Sequence, residues 1–216
     1  FYCILVPDFA VPLFPFSLYF WFLVTNGFGL LKSICNLKDN NYKPEDNKKY
    51  KYIELADIGK TGDIIGCTLA KGIELPTRAR RIVKTDDVVI SSIEGSLESC
   101  ALISKEYNNA LCSTGFYVIN SKLINSETLL VLFKSEPMQN ILKQNCTGTI
   151  LTAINKTEFQ NIPVPLIQSD LQKQVKEKIS ESFELKKQSE LLLKTAKRAV
   201  EIAIEENEEK AISIFI

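Results

Sequence analysis

Lys71, Arg78, Arg80, Arg81 and Lys84 set five fixed positive charges within fourteen residues, opposed only by Glu74. The chain as a whole is neutral, with 26 basic and 26 acidic residues, so this concentration is local. Cations grouped in this way suit phosphate, because neutralising a charged backbone releases its counterions. Arginine adds a planar fork that matches the acceptor pair on guanine. A solvated surface would use the same residues, and spacing alone does not separate the two. Near the cluster, "SSIEGS" (Ser91–Ser96), "NN" (Asn108, Asn109) and "CSTG" (Cys112–Gly115) put short hydrogen-bonding groups at expected strand ends. Loops on a rigid scaffold often carry recognition, although Ser, Asn and Gly are also what tight turns demand.

Catalytic chemistry has little to stand on. The chain contains no histidine, which removes the commonest general base and the Ser–His and Cys–His pairs. Asp57, Asp63, Asp86 and Asp87 follow no pattern that would set one carboxylate as acid and another as base. "NCTGTILTAI" (145–154) could cradle an anion at Gly148. It lacks the Gly-Lys-Ser/Thr tail of a nucleotide-hydrolysing loop, and "TGDIIG" is no dinucleotide fingerprint. Cys3, Cys35, Cys67, Cys100, Cys112 and Cys146 stand at long, irregular separations. They read as small buried residues of a reducing cytoplasm, neither zinc ligands nor a disulfide framework. No catalytic residue, metal site or cofactor is expected.

The elements that must position the charged and polar groups are mostly strands. "YKYIELADIG" alternates polar and apolar residues, and "TGDII" follows a turn at Gly62. "RIVKTDDVVISSI" reads as two strands around Thr85-Asp86-Asp87, and "ALIS" and "ALCSTGFYVIN" as further strands around Asn108-Asn109. "SETLLVLFKSEPMQNILKQN" has helical spacing, with Ser126 as its expected N-cap and Pro137 dividing it into two helices or one broken one. From Ser169 to about Ala211 there is no Gly or Pro. There Leu171, Val175, Ile179, Ser182, Leu185, Ser189, Leu192, Ala196, Ala199 and Ala203 recur at spacings of three and four. A helix of this length has more apolar stripe than one small domain covers, so a partner helix is expected.

The first residues fit this plan least. Phe9 to Leu31 carries no charge and is long enough to cross a bilayer. Pro12, Pro15, Gly27 and Gly29 and the absence of basic flanks argue against a span or a secretory signal. A membrane partner is not expected. Three parts result: an apolar leader over 1–35, a recognition domain over 36–166 that opens on a polar linker (36–51), and a pairing helix over 167–216.

In order, "YKYIELADIGKTGDI", "LPTRARRIVKTDDVVISSIEGSL", "LCSTGFYVI", a Leu-rich helix, "GTILTAI" and "IPVPLI" with its long helix resemble one half of a type I restriction-modification specificity subunit. The similarity runs from about residue 50 to 211. It implies an α+β target recognition domain, with a twisted, mainly antiparallel sheet and flanking helices, followed by a long coiled-coil helix. It further implies a non-catalytic, cytoplasmic protein that recognises half of a split sequence in double-stranded DNA. The implied partners are a methyltransferase subunit acting on adenine, a restriction subunit, and a copy of the chain or a second specificity half. Such subunits carry two recognition domains and two helices, whereas this chain has one of each.

On that basis Lys71, Arg78, Arg80, Arg81 and Lys84 are expected at the DNA backbone. Ser91, Ser92, Glu94, Ser96, Asn108, Asn109, Ser113 and Thr114 are expected at base edges. The alternatives are the recognition domain of a single-chain restriction-methylation enzyme, or a coiled-coil interaction protein with no DNA role.

Overall fold

The computed structural model describes residues 25–148 and 152–215. The leader's residues 1–24 lie outside them. The chain divides into two compact units, one ending at Gln172 and the other beginning at Lys173.

The first unit is α+β, built on two four-stranded sheets. One has the strand order β2 (Cys35–Lys38), β9 (Phe116–Ser121), β6 (Val88–Ser91), β7 (Cys100–Leu102), all antiparallel. The other has the order β4 (Thr68–Lys71), β3 (Lys49–Ile53), β8 (Leu111–Ser113), β5 (Ala79–Ile82), in which only β3 and β8 run parallel. Strand alternation explains the layers. Val89, Ala101, Phe116 and Val118 of the first sheet meet Ile53 and Cys112 of the second in one buried cluster. The intervening residues Tyr117 and Ile119 point to the other face, where Tyr117 stacks on Phe159 at 4.2 Å and Phe133 lies 6.1 Å beyond it. Fully burying an aromatic such as Phe159 contributes about 1.5–3 kcal/mol.

That outer face is covered by helices. The first described helix, α1 (Leu31–Ile34), is a single turn that leads into β2. The Leu-rich segment forms α2 (Ser126–Lys134) and α3 (Glu136–Gln144), separated at Ser135 with Pro137 in the first turn of α3. The N-cap of α2 is Asn125 rather than Ser126: the Asn125 side chain accepts from the Thr128 N–H, while Ser126 donates to the Asp86 carbonyl. The hairpin β10 (Cys146–Thr147) and β11 (Ala153–Ile154) follows, then α4 (Lys156–Gln160).

Strand β12 (Pro163–Ile167) pairs antiparallel with β1 (Thr25–Leu30). The Leu31 N–H bonds the Ile162 carbonyl. That register turns the nitrogens of Pro163 and Pro165 away from β1, so neither proline interrupts the ladder and the free edge resists further pairing.

The expected linker over 36–51 is not a linker. Residues 35–38 and 49–53 are sheet strands, and the segment between them bonds β5 through the Tyr42 N–H to the Arg80 carbonyl. Two of its charges hold it to the rest of the unit: Lys38 pairs with buried Asp87, and Asp39 pairs with Lys156. The Lys156 ammonium holds the Asp39 carboxyl below its ordinary value.

The second unit consists of α5 (Ser169–Glu205), from Lys173 onward, and α6 (Glu208–Ile212). The expected run to Ala211 breaks at Asn207, whose side chain caps α6 by accepting from the Lys210 N–H. The last turn of α5 carries no basic residue, and Glu201, Glu205 and Glu206 crowd its negative end. That charge opposes continuation of the helix. Among the described residues no helix is long and apolar enough to cross a membrane.

Candidate nucleic-acid interface

The register of β5 against β8 separates the basic cluster into groups. Ala79 lies opposite Ser113 and Ile82 opposite Leu111, so Arg78 sits at the Thr114 end of these strands and Lys84 at the Asn109 end. Lys71 is on the far edge strand β4, opposite Lys49, also beyond the start of β8. The five cations therefore form no single patch.

Arg80 is the extra residue of a β-bulge, since Ala79 and Arg81 oppose the consecutive residues Ser113 and Cys112. A bulge shifts the alternation that follows it. Arg81 is thereby turned inward, with Nη1 donating to the Lys38 carbonyl at 3.5 Å and the guanidinium 6.0 Å from the centre of the Tyr117 ring. Its buried Nε has no hydrogen-bond partner among the described residues. Arg80 stays exposed, with Nε donating to the Thr77 carbonyl at 2.5 Å.

Arg78 is held at both ends. Its Nη2 donates to Glu54 Oε1 at 3.0 Å and its Nε donates to the Tyr52 hydroxyl at 3.3 Å. Its carbonyl accepts from the N–H groups of Thr114 (2.9 Å) and Arg80 (3.0 Å). Donation to the Glu54 carboxylate favours the charged guanidinium of Arg78, while burial pushes the Tyr52 hydroxyl's pKa up.

From Arg78 a continuous rim runs across the ends of both sheets. The Ser92 N–H bonds the Gly115 carbonyl, the Ile154 N–H bonds the Ser92 carbonyl, and the Glu94 N–H bonds the Thr152 carbonyl, at 2.9 to 3.0 Å. An isolated bridge between Ile93 and Ala153 adds the β10–β11 hairpin to the same rim. Along it, Thr114 is exposed and Glu94 half-buried, and the side chains of both have no hydrogen-bond partner among the described residues.

The other short polar residues are committed to shaping the rim. The Ser91 and Ser96 hydroxyls bond each other at 2.8 Å, and Ser91 Oγ accepts from the Ile93 N–H. Ser92 donates to the Gly115 carbonyl, and Ser113 Oγ accepts from the Gly115 N–H. Asn108 and Asn109 lie at the opposite end of β8. There Asn108 Oδ1 accepts from the Thr85 N–H, and Asn109 adopts the left-handed conformation at φ 63°.

The structure thus brings Arg78, Ser92, Glu94 and Thr114 to one rim and leaves Lys71, Lys84, Asn108 and Asn109 at the other end. Sequence reasoning missed Tyr52, Glu54 and Thr152. The alternation in "YKYIEL" places Tyr52 and Glu54 on one face, and only their distant partner Arg78 gives them meaning.

On α5, Leu171, Val175 and Ile179 are half-buried, whereas Leu185 and Leu192 are 58% and 65% exposed. Ala199 is buried, Ala203 half-buried and Ala196 exposed. Leu193, Ala196 and Val200 line a shallow apolar groove along the same helix. The cysteines described are all free, and burial pushes the thiols of Cys35, Cys100 and Cys112 up to about 12. The described residues contain no cluster of His, Cys, Asp or Glu able to hold a metal ion.

Residues 27–194 match the family model described as the type I restriction modification DNA specificity domain. Among solved structures, the chain is similar to one titled as the structural basis of complex assembly and conformational transition of the type I R-M system. The TM-score is 0.64 and the identity 22%, over 84% of this chain and 48% of the other. It is also similar to the HsdS subunit from Thermoanaerobacter tengcongensis, at TM-score 0.63 and 22% identity over 81% of this chain and 46% of that one. For the type I restriction-modification S subunit from M. genitalium the values are 0.51 and 13%, over 82% and 43%. This chain spans about half the length of these proteins. No curated protein matches it significantly. By the match over most of its length, the chain belongs to the type I restriction modification DNA specificity domain family.

Proposed function

We propose that the chain is the DNA-recognition half of a type I specificity subunit, holding one part of a split target in double-stranded DNA at the rim that runs from Arg78 to Thr152. The observation that carries this is the rim's continuity: one hydrogen-bonded line joins both sheets and the β10–β11 hairpin, with exposed Thr114 along it and an exposed cation at one end. Thr114 and Glu94 offer hydrogen-bonding groups to base edges, the Ser92 hydroxyl holds the rim's shape, and Arg80, two residues from Arg78, meets the backbone. Lys71, Lys84, Asn108 and Asn109 are too far along the strands to share that contact, and Arg81 acts from within the fold.

The exposed apolar stripe of α5, from Leu185 through Leu192 and Ala196, supports pairing with a second helix, from a copy of the chain or another specificity half. Cytoplasmic methyltransferase and restriction subunits would then act at the site this protein selects, with no catalytic step of its own.

The test is duplex binding by the full chain with its partner subunits, measured against salt. Log affinity is expected to fall linearly with log salt, and Arg80→Ala is expected to reduce the slope by about 0.9. Binding that ignores salt would contradict this function.

A further inference from the structure

We propose that Arg78 recognises a guanine edge in the major groove, and that Glu54 and Tyr52 are the residues that position it. This rests on the DNA-recognition function proposed for the chain, and it moves Arg78 from the backbone to the bases.

The exposed cations of the cluster differ in how they are held, whether at the rim or, like Lys84, at the other end of the strands. Arg80 is tied only to the Thr77 carbonyl of its own turn, and Lys84 has no side-chain partner among the described residues. Either could follow a phosphate through a range of positions, which is all a backbone contact requires. Arg78 has no such freedom. Its guanidinium is fixed by the Tyr52 hydroxyl and the Glu54 carboxylate, and its carbonyl by two N–H groups. Tyr52 is itself only 1% exposed, so the support is part of the core.

Of the five guanidinium N–H groups, these contacts use the one on Nε and one on Nη2. Both N–H groups of Nη1 and the second on Nη2 remain, on a side chain 59% exposed at the rim. That remaining end is the two-pronged donor that matches O6 and N7 of guanine. Fixing it in advance reduces the ordering cost of binding.

The carboxylate adds a second reason. Glu54 beside a DNA phosphate would repel it, so the Arg78–Glu54 pair is poorly placed for backbone contact. Beside a base edge the same carboxylate orients the fork, and its charge disfavours a phosphate taking the guanine's place.

The test is selection from a random-sequence duplex pool by the full chain assembled with its partner subunits, for wild type, R78K, R78A and E54Q. Wild type is expected to select a motif containing at least one fixed guanine. R78K keeps the charge and loses the paired fork, so it should lose that guanine alone, with discrimination falling about 5- to 150-fold. E54Q should relax the same position and leave the others as in wild type.

R78K selecting the wild-type motif would overturn the assignment. So would R78A weakening all duplexes alike, with a salt slope lower by about 0.9, since that marks a phosphate contact. A wild-type chain that selects no motif refutes the DNA-recognition function itself, and the role of Arg78 falls with it.

Discussion

Gln172 and Asn125 hold each other across 47 residues of sequence: Gln172 Oε1 accepts from the Asn125 N–H, and the Gln172 carbonyl accepts from Asn125 Nδ2, both at 2.8 Å. Gln172 Nε2 also donates to the carbonyls of Leu123 and Ile167, while Asn125 Oδ1 caps α2. One side chain thus ties the first turn of α5 to the loop that starts α2. Gln172→Ala is expected to destabilise the recognition unit by about 1–3 kcal/mol, because the N–H and carbonyl groups left behind lose their partner. Amide exchange should speed up at Asn125 and in the first turn of α5. Unchanged exchange at both would show that the tie is not formed.

Asp87 should be the most sensitive polar position in the core. It is 1% exposed and accepts from Lys38 Nζ at 2.7 and 2.8 Å, from Asn120 Nδ2 and from the Lys84 N–H. Asp87→Ala leaves those donors without an acceptor, and a loss of about 3 kcal/mol is expected in denaturant unfolding. A loss under about 1 kcal/mol would mean that water replaces the carboxylate.

The buried thiols give stability an alkaline limit. Cys35, Cys100 and Cys112 have folded pKa values pushed up to about 12 by burial, well above the ordinary thiol value. Between roughly pH 9 and 12 the unfolded chain releases a proton that the folded chain keeps, so stability falls as pH rises. Each thiol contributes a slope of about 1.4 kcal/mol per pH unit in that window, and none below it. Replacing Cys100 and Cys112 by Ala should flatten the fall measured between pH 9 and 11. An identical fall in the variant would assign it to other groups.

Pairing through α5 should depend on its exposed leucines. Leu185→Ser with Leu192→Ser removes apolar surface that contributes about 1.5–3 kcal/mol per side chain when fully buried. Sedimentation of the full chain should show association lost or strongly weakened, with the recognition unit still folded. Unaltered association would place pairing elsewhere.

Much of the α+β plan was legible in the chain. The strands around Asp86 and Asn109 announce themselves because apolar alternation meets residues that tolerate left-handed backbone, at φ 68° and 63°. Pro137 marks the division of α2 from α3, and the Gly- and Pro-free run marks α5. Residues 36–51 were misleading for a physical reason. Lys38 looks like a solvated charge until Asp87, 49 residues away, makes it part of a sheet.

The candidate site was legible only in its residue types. Nothing in "TRARR" shows that a bulge at Arg80 turns Arg81 inward, because plain alternation would keep Arg81 on the side of Ala79. Nor does spacing reveal that Glu54 belongs to Arg78. Bulges and long-range ion pairs are tertiary facts, and they decide which cation faces solvent and which is held.

The most direct measurement is a genome-wide map of methylated adenine in the host, with an active modification subunit and this gene intact or deleted. Deletion should erase methylation at one split motif and spare the rest, and palindromic arms would mark self-pairing through α5. An unchanged map would contradict the proposal that this chain directs a methyltransferase to its target.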